Sequence, residues 1–249
     1  MPCSRITIQE PGENEPGGKI DGEQGPSPDV SDLLPADGVE QVWDEYASKQ
    51  LLKQFGIPVV EERIVSSATE TEEAAVALGF PVVLKGLLPG QVHKTESGLV
   101  RLGIATSAGL RDAFAGLRGL MKGSGRIVIQ RQMEIDYELI AGFLRDDQFG
   151  PCVMFGLGGI FSELEKDVVF ALAPLSRDDA KALIRRIRGR KLLEGFRGME
   201  PLDEKAMADI LVALGNLGTS CDQIGQIDIN PLAVSGGGCP QPLTLQLLL

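Results

Sequence analysis

The 249-residue sequence is poor in aromatics, at 5%, and holds a single histidine and a single tryptophan. It has four cysteines. Cys3, Cys152, Cys221 and Cys239 form no CxxC pair, so a zinc site is not expected. Their scatter fits free thiols in a reducing compartment. No apolar run approaches the ~20 residues of a membrane helix. The first residues lack the apolar stretch of a signal peptide. These absences predict a cytoplasmic protein with no membrane contact. Basic residues are also in deficit. Lys and Arg number 24 against 35 Asp and Glu, a net charge of −11. A nucleic-acid partner is therefore not expected, because binding phosphate backbones needs a basic face.

The acidity is uneven. Residues 1–40 hold nine acids and two bases, with six Pro, six Gly and no aromatic. Such a stretch buries too little apolar surface to offset its ordering entropy, so it is expected as a disordered tail or linker. Beyond it the chain turns ordinary, and hydropathy patterning predicts two lobes, 41–130 and 131–249. Trp43, Tyr46, Ala47, Leu51 and Phe55 recur at helical spacing, stopped by Gly56 and Pro58. Strands are expected over 59–65, 81–85, 99–104 and 126–132. Helices fall between them, one opened by a capping box of Thr69 and Glu72 and one capped by Ser107. In the second half, strands over 137–144 and 152–157 make a hairpin, and 168–175 is a third strand. Helices are expected over 177–188, capped by Ser176, and 202–217, followed by a strand over 224–234. The class is α/β (α+β), two lobes with a cleft between them, a common place for a cofactor.

Four short strings carry polar groups suited to such a cleft. Lys85 ends the apolar strand VVLK. Its ammonium can snorkel to solvent or neutralise phosphate oxygens in the cleft. The loop 91–98 contains His93, Lys94, two hydroxyls and a glycine. An imidazole with a pKa near ~6.5 is largely neutral at pH 7 and can act as a nucleophile, with Lys94 beside it to hold a phosphoryl group; a lone loop histidine also serves plain structural ends. The turn FGLGGIF, with Gly158 and Gly159, permits close approach of backbone to a ligand or simply a tight turn. It is neither a Walker loop nor a Rossmann fingerprint. Beyond it, Glu163 and Glu165 would share one side of a strand. In QIDINP, alternation puts Gln226, Asp228 and Asn230 on one face and Ile227 and Ile229 on the other, oxygen donors of the kind magnesium prefers or a solvated strand edge.

The order VVLK, HKTESGLVRL, YELIAG, FGLGGIFSELEKDV, LEGFRG, IDINPL resembles the ATP-grasp subunit or domain of ADP-forming acetate–CoA ligases, relatives of succinyl-CoA synthetase. The likeness covers about residues 43–235. It implies a two-lobed ATP-grasp fold binding ATP or ADP and Mg2+ between the lobes. A CoA-binding α-type partner would form an acyl phosphate from a small acid's acyl-CoA. The phosphoryl group would pass through a histidine, and the chain would work in a hetero-oligomer. The family loop places the phosphohistidine on His93. The resemblance also implies Lys85 on the nucleotide phosphates and adenine at the hinge that follows strand 126–132, where Gln130, Gln132 and Met133 lie. It puts Glu138 near the ribose, Arg197 near the site, and Asn230 and Asp228 at the metal; Glu163, which could meet a cation or simply face water, is the further metal candidate. Two departures stand out. Gln226 occupies a position where the family usually has an acid, and no acid follows Asp228, where relatives carry an aspartate. Another ATP-grasp carboxylate ligase, or a nucleotide-binding regulatory subunit with a weakened metal site, are the alternatives.

Overall fold

The computed structural model describes residues 42–88, 98–159, 167–196, 199–236, 238, 240–242 and 245–248. The acidic stretch 1–40 lies outside the described residues, as does the proposed histidine loop.

Two antiparallel sheets organise the chain. The smaller contains β2 (Glu62–Val65), β3 (Val82–Leu87), β4 (Val100–Ile104) and β5 (Arg126–Arg131) in the order β2-β5-β3-β4. Helices α2 (Ala68–Leu78) and α3 (Ser107–Leu120) cover one face of it. Leu84, Ile127 and Ile129 point into that core beside Leu110 and Leu117. The sequence alternates strand and helix here, yet every pairing in the sheet is antiparallel.

The larger sheet has seven strands. They are β1 (Val42–Trp43), β6 (Tyr137–Asp146), β7 (Gly150–Leu157), β8 (Val168–Leu172), β9 (Gln226–Val234), β10 (Pro240–Pro242) and β11 (Leu245–Leu248). The path runs β1-β11-β9-β6-β7-β8, with β10 also on β9. Helices α4 (Arg177–Arg185) and α5 (Glu204–Ser220) contribute Leu183, Ile184, Leu211 and Leu214 to a core that also takes Phe143, Phe155 and Ile227 from the sheet. The first helix, α1 (Glu45–Gln54), buries Leu51 and Leu52 in this core as well. Its sequence neighbours from Glu62 onward build the other sheet, so α1 sits at the junction of the two lobes.

Several element ends differ from expectation for local reasons. Ser67, not Thr69, caps α2 by accepting from Glu70 N at 3.1 Å, and the Glu70 carboxylate accepts from Ser66 N, so the expected box of Thr69 and Glu72 does not form. Thr106, not Ser107, caps α3 by accepting from Gly109 N. Ser176 caps α4 as expected, with Asp179 completing the box. That helix stops at Arg185, three residues early, because the Asp167 carboxylate takes the backbone N–H of Arg188 and Gly189. Strand β8 ends before Pro174, which has no N–H to offer a ladder. The hairpin between β6 and β7 is closed by Asp146, whose side chain accepts from Gln148 N and Phe149 N. No helix among the described residues is long and apolar enough to cross a membrane.

Candidate active site: a buried charged face on the small sheet

In each sheet alternate residues leave the helix-covered core and face the other way. On the small sheet that second face carries Lys85 and Val83 from β3, Val128 and Gln130 from β5, and Glu62 from β2, which stands opposite Gln130. Helix α1 brings Glu45 and Lys49 against it. Lys85 donates to Glu45 Oε1 at 2.7 Å. Lys49 donates to the same oxygen at 2.7 Å and to Glu62 Oε2 at 2.9 Å. Lys85 is 7% exposed and Lys49 0%. Among the described residues, two ammonium groups and two carboxylates thus meet within a nearly dry volume. Buried charges persist only when paired in this way. Burial still dominates at Lys85, pulling its pKa down to about 8 even though Glu45 works against it. Burial likewise raises the Glu62 carboxyl above its ordinary range, against the opposing charge of Lys49.

Two oxygens in this wall have no hydrogen-bond partner, Gln130 Oε1 and Glu62 Oε1. An unpartnered buried acceptor costs free energy unless a ligand or solvent supplies a donor. Gln130, 4% exposed, therefore remains a fitting candidate for nucleotide contact. Gln132 is already engaged, its Oε1 accepting from Gly103 N at 2.6 Å. Met133 packs against Val60 and Ala233 where the chain passes from one sheet to the other.

The face of the larger sheet away from its helices carries Glu138, Ile140 and Gly142 on β6. The glycine turn after β7 folds back on Glu138. Gly158 N donates to Glu138 O at 2.8 Å. A Cβ on Gly158 would lie 3.0 Å from Glu138 and Leu139 backbone atoms, and one on Gly159 would lie 3.0 Å from Glu138 Oε2. These two glycines and Glu138 are one local unit. Asp228 stands opposite Gly142, four residues along from Glu138. At about 3.4 Å per residue, roughly 14 Å of strand separate the two acids. Asp228 is half-buried, and burial raises its carboxyl above the usual range. Alternation holds over Gln226–Asn230 as expected, with Ile227 and Ile229 buried and Asn230 exposed. The register then shifts: Leu139 pairs with Leu232 but Ala141 with Ile229, leaving Asn230 and Pro231 opposite Ile140 alone. Such a bulge re-aims the side chains within it.

His93, Lys94, Glu163 and Arg197 lie outside the described residues. Sequence patterning passed over Glu45, Lys49 and Glu62. A usable sign existed, since Glu45 and Lys49 are four apart and in line with Leu52, on the stripe of α1 that must be buried. It also passed over Asp167, whose carboxylate ties the end of α4 to the start of β8.

Residues 36–240 match the model of the ATP-grasp domain family. The chain belongs to the ATP-grasp family. Over 197 residues it is 39% identical to the β subunit of ADP-forming acetate–CoA ligase I of Pyrococcus furiosus, covering 76% of this chain and 84% of that one. It is 35% identical to ADP-forming acetate–CoA ligase I of Archaeoglobus fulgidus, over 76% of this chain but 28% of that longer protein. Among solved structures it resembles acetyl-coenzyme A synthetase 1 of Ca. Korarchaeum cryptofilum in complex with coenzyme A and Ca-AMPCP. That likeness has a TM-score of 0.79 and 37% identity, over 84% of this chain and 93% of that one. A second structure of that protein, with Mg-AMPPCP, has its phosphohistidine segment pointing towards the nucleotide binding site; the TM-score is 0.73. The family resemblance and the ATP-grasp fold expected from the motif order are therefore borne out. The chain is the β-type part of an ADP-forming acyl-CoA ligase.

Proposed function

We propose that this ATP-grasp chain binds ATP or ADP between its lobes and moves a phosphoryl group between the nucleotide and His93, serving a CoA-binding α-type partner that handles the acyl group. The observation that carries the nucleotide reading is the wall built on Lys85: a buried ammonium beside the orphaned acceptor Gln130 Oε1, on the sheet face turned towards the other lobe. Phosphoryl transfer asks chiefly for positioning and charge neutralisation, and a fixed buried ammonium supplies both. Lys85, joined by Lys94, would neutralise the phosphate oxygens. Gln130 and the hinge at Met133 would line the adenine, with Gln132 serving through the backbone it holds. Glu138, with Gly158 and Gly159 folded on it, would meet the ribose. Arg197 completes the site in this reading.

Asp228, Asn230 and Glu163 are the residues we assign to magnesium. Asp228 fits, being a half-buried carboxylate whose raised pKa marks a charge without a compensating partner, a cost a cation would relieve. Bound there, magnesium would offset charge on the phosphates. In the ATP-forming direction the phosphorus–nitrogen bond at His93 breaks as a β-phosphate oxygen of ADP bonds to phosphorus. His93 is left neutral for the next cycle. The partner, in a hetero-oligomer, would supply the phosphoryl group from an acyl phosphate made from acyl-CoA and phosphate. A cytoplasmic location is part of the same reading.

Gln226, exposed where the resembling family usually has an acid, favours one second reading: a nucleotide-binding regulatory subunit with weak metal-dependent turnover. The experiment that decides is phosphorylation with labelled ATP and magnesium in the presence of the α-type partner. Wild type is expected to gain acid-labile, base-stable label and His93→Ala to gain none, with the partner's own histidine blocked. Equal labelling of the two would remove His93 as carrier. Nucleotide binding without any labelling would favour the regulatory reading.

A further inference from the structure

The fourfold charge cluster contains more than a lobe-to-lobe tie. Lys85 reaches the cleft wall from the small sheet, whereas Glu45 comes from a helix rooted in the core of the large one. One carboxylate oxygen, Glu45 Oε1, accepts from both lysines at 2.7 Å. A carboxylate this close to a phosphate-binding lysine works against phosphate by simple Coulomb repulsion. Its presence calls for a compensating role.

We propose that Glu45 is a positioning residue for the nucleotide: from the opposite lobe it fixes the place and the charge of the Lys85 ammonium on which the phosphates land. This rests on the reading of Lys85 as the phosphate-binding lysine. Among the described residues, the charged groups facing Lys85 are Glu45 and Lys49 on α1 and Glu62 on β2; its neighbours across the sheet, Val128 and Val100, are neutral. Burial and Lys49 push the ammonium towards its neutral form, while Glu45 and, more weakly, Glu62 resist. With a pKa of about 8, the group keeps its proton at neutral pH by a narrow margin. Glu45 is the largest opposing influence, so removing it uncovers the burial penalty at the residue that must stay charged.

Binding of ADP to the full-length chain, followed calorimetrically across pH, tests this; comparison between variants cancels the nucleotide's own titration. Wild-type affinity is expected to weaken as pH rises through about 8. Glu45→Gln is expected to move that transition down by about one pH unit, leaving affinity near about pH 6 equal or tighter and making it about tenfold weaker near about pH 9. Lys49→Met is expected to move the transition upward, and it provides the test if Glu45→Gln does not fold. A contact that merely holds the lobes together would lower affinity by the same factor at every pH, and that outcome, or an unmoved transition in the folded variants, overturns the proposal. Lys85→Met separates the two layers. If it binds ADP as wild type does, the phosphate-binding reading of Lys85 is wrong. If it loses affinity about 100-fold while Glu45→Gln keeps the wild-type transition, only the role of Glu45 is wrong.

Discussion

The two sheets carry unlike faces on the side away from their helices. The small sheet's inner face is charged and dry: Lys85 and Glu62 are buried under Glu45 and Lys49 of α1. The large sheet's corresponding face is mostly apolar and close-packed at its centre. A Cβ on Gly142 or Gly156 would press within 3.0 Å of neighbouring backbone oxygens, and only towards the edge strand does the face open, with Leu172 62% exposed. Near its middle stands one carboxylate, Asp228. One lobe therefore supplies charges fixed in advance, and the other a close-packed apolar surface with a single carboxylate at its middle. Electrostatic stabilisation needs the first, because dipoles and charges that must reorganise during reaction lose most of their effect.

The comparison can be broken from either side. The largest expected effect is on the covered side of the large sheet. Phe143 is fully buried there, and Gly218 packs so close to its ring that any Cβ would collide. Phe143→Ala should cost about 3–5 kcal/mol in a denaturant titration, while leaving the pH dependence contributed by Lys85 in place. Overpacking the apolar face comes next. A Cβ at Gly142 would approach Ile227 O to 2.6 Å, so Gly142→Val should cost about 1–3 kcal/mol. A thermal melt with and without nucleotide would read both.

The charged face has its own signature in pH. Lys85 binds its proton less tightly in the folded chain, about 8, than the ordinary 10.5. Between those values the unfolded chain holds more protons, so this group makes stability rise with pH from about 8 to 10.5. Lys85→Met should abolish that rise in the difference between variant and wild-type unfolding curves. The smallest effect is expected at Tyr137. Its hydroxyl is buried without a partner, and burial pushes its pKa up to about 12. Tyr137→Phe should be neutral or stabilising by up to about 1 kcal/mol. Ultraviolet difference spectra should show one of the chain's two tyrosines resisting ionisation until near pH 12.

Elements set by local pattern were legible in the sequence. The hairpin around Asp146, the Ser176 cap and the alternation through Ile227 and Ile229 stand where local pattern placed them. Helix α1 forms where expected, but its buried stripe is Glu45, Ser48, Lys49, Leu51 and Leu52 rather than Trp43, Tyr46, Ala47, Leu51 and Phe55, and Trp43 belongs to β1. Boundaries went astray where a distant group intervened, as Asp167 does at the end of α4. Within the site, Lys85 was conspicuous because an ammonium ending an apolar strand is costly. Its partners were not. Glu45 is forty residues away in sequence and in another lobe's helix, and no local pattern couples them. Gln132 looked like Gln130 in sequence, but only the structure shows its side chain already spent on Gly103.

The edge of the large sheet has one more consequence. Strand β11 lies between β9 and β1, and Val42 pairs with Leu248. The first and last described strands are thus neighbours in one ladder, so the module enters and leaves at one place. A module with that geometry can be spliced into a longer polypeptide without cutting through its core. Its relatives differ in length accordingly: this chain covers 84% of one β subunit and 28% of one ligase.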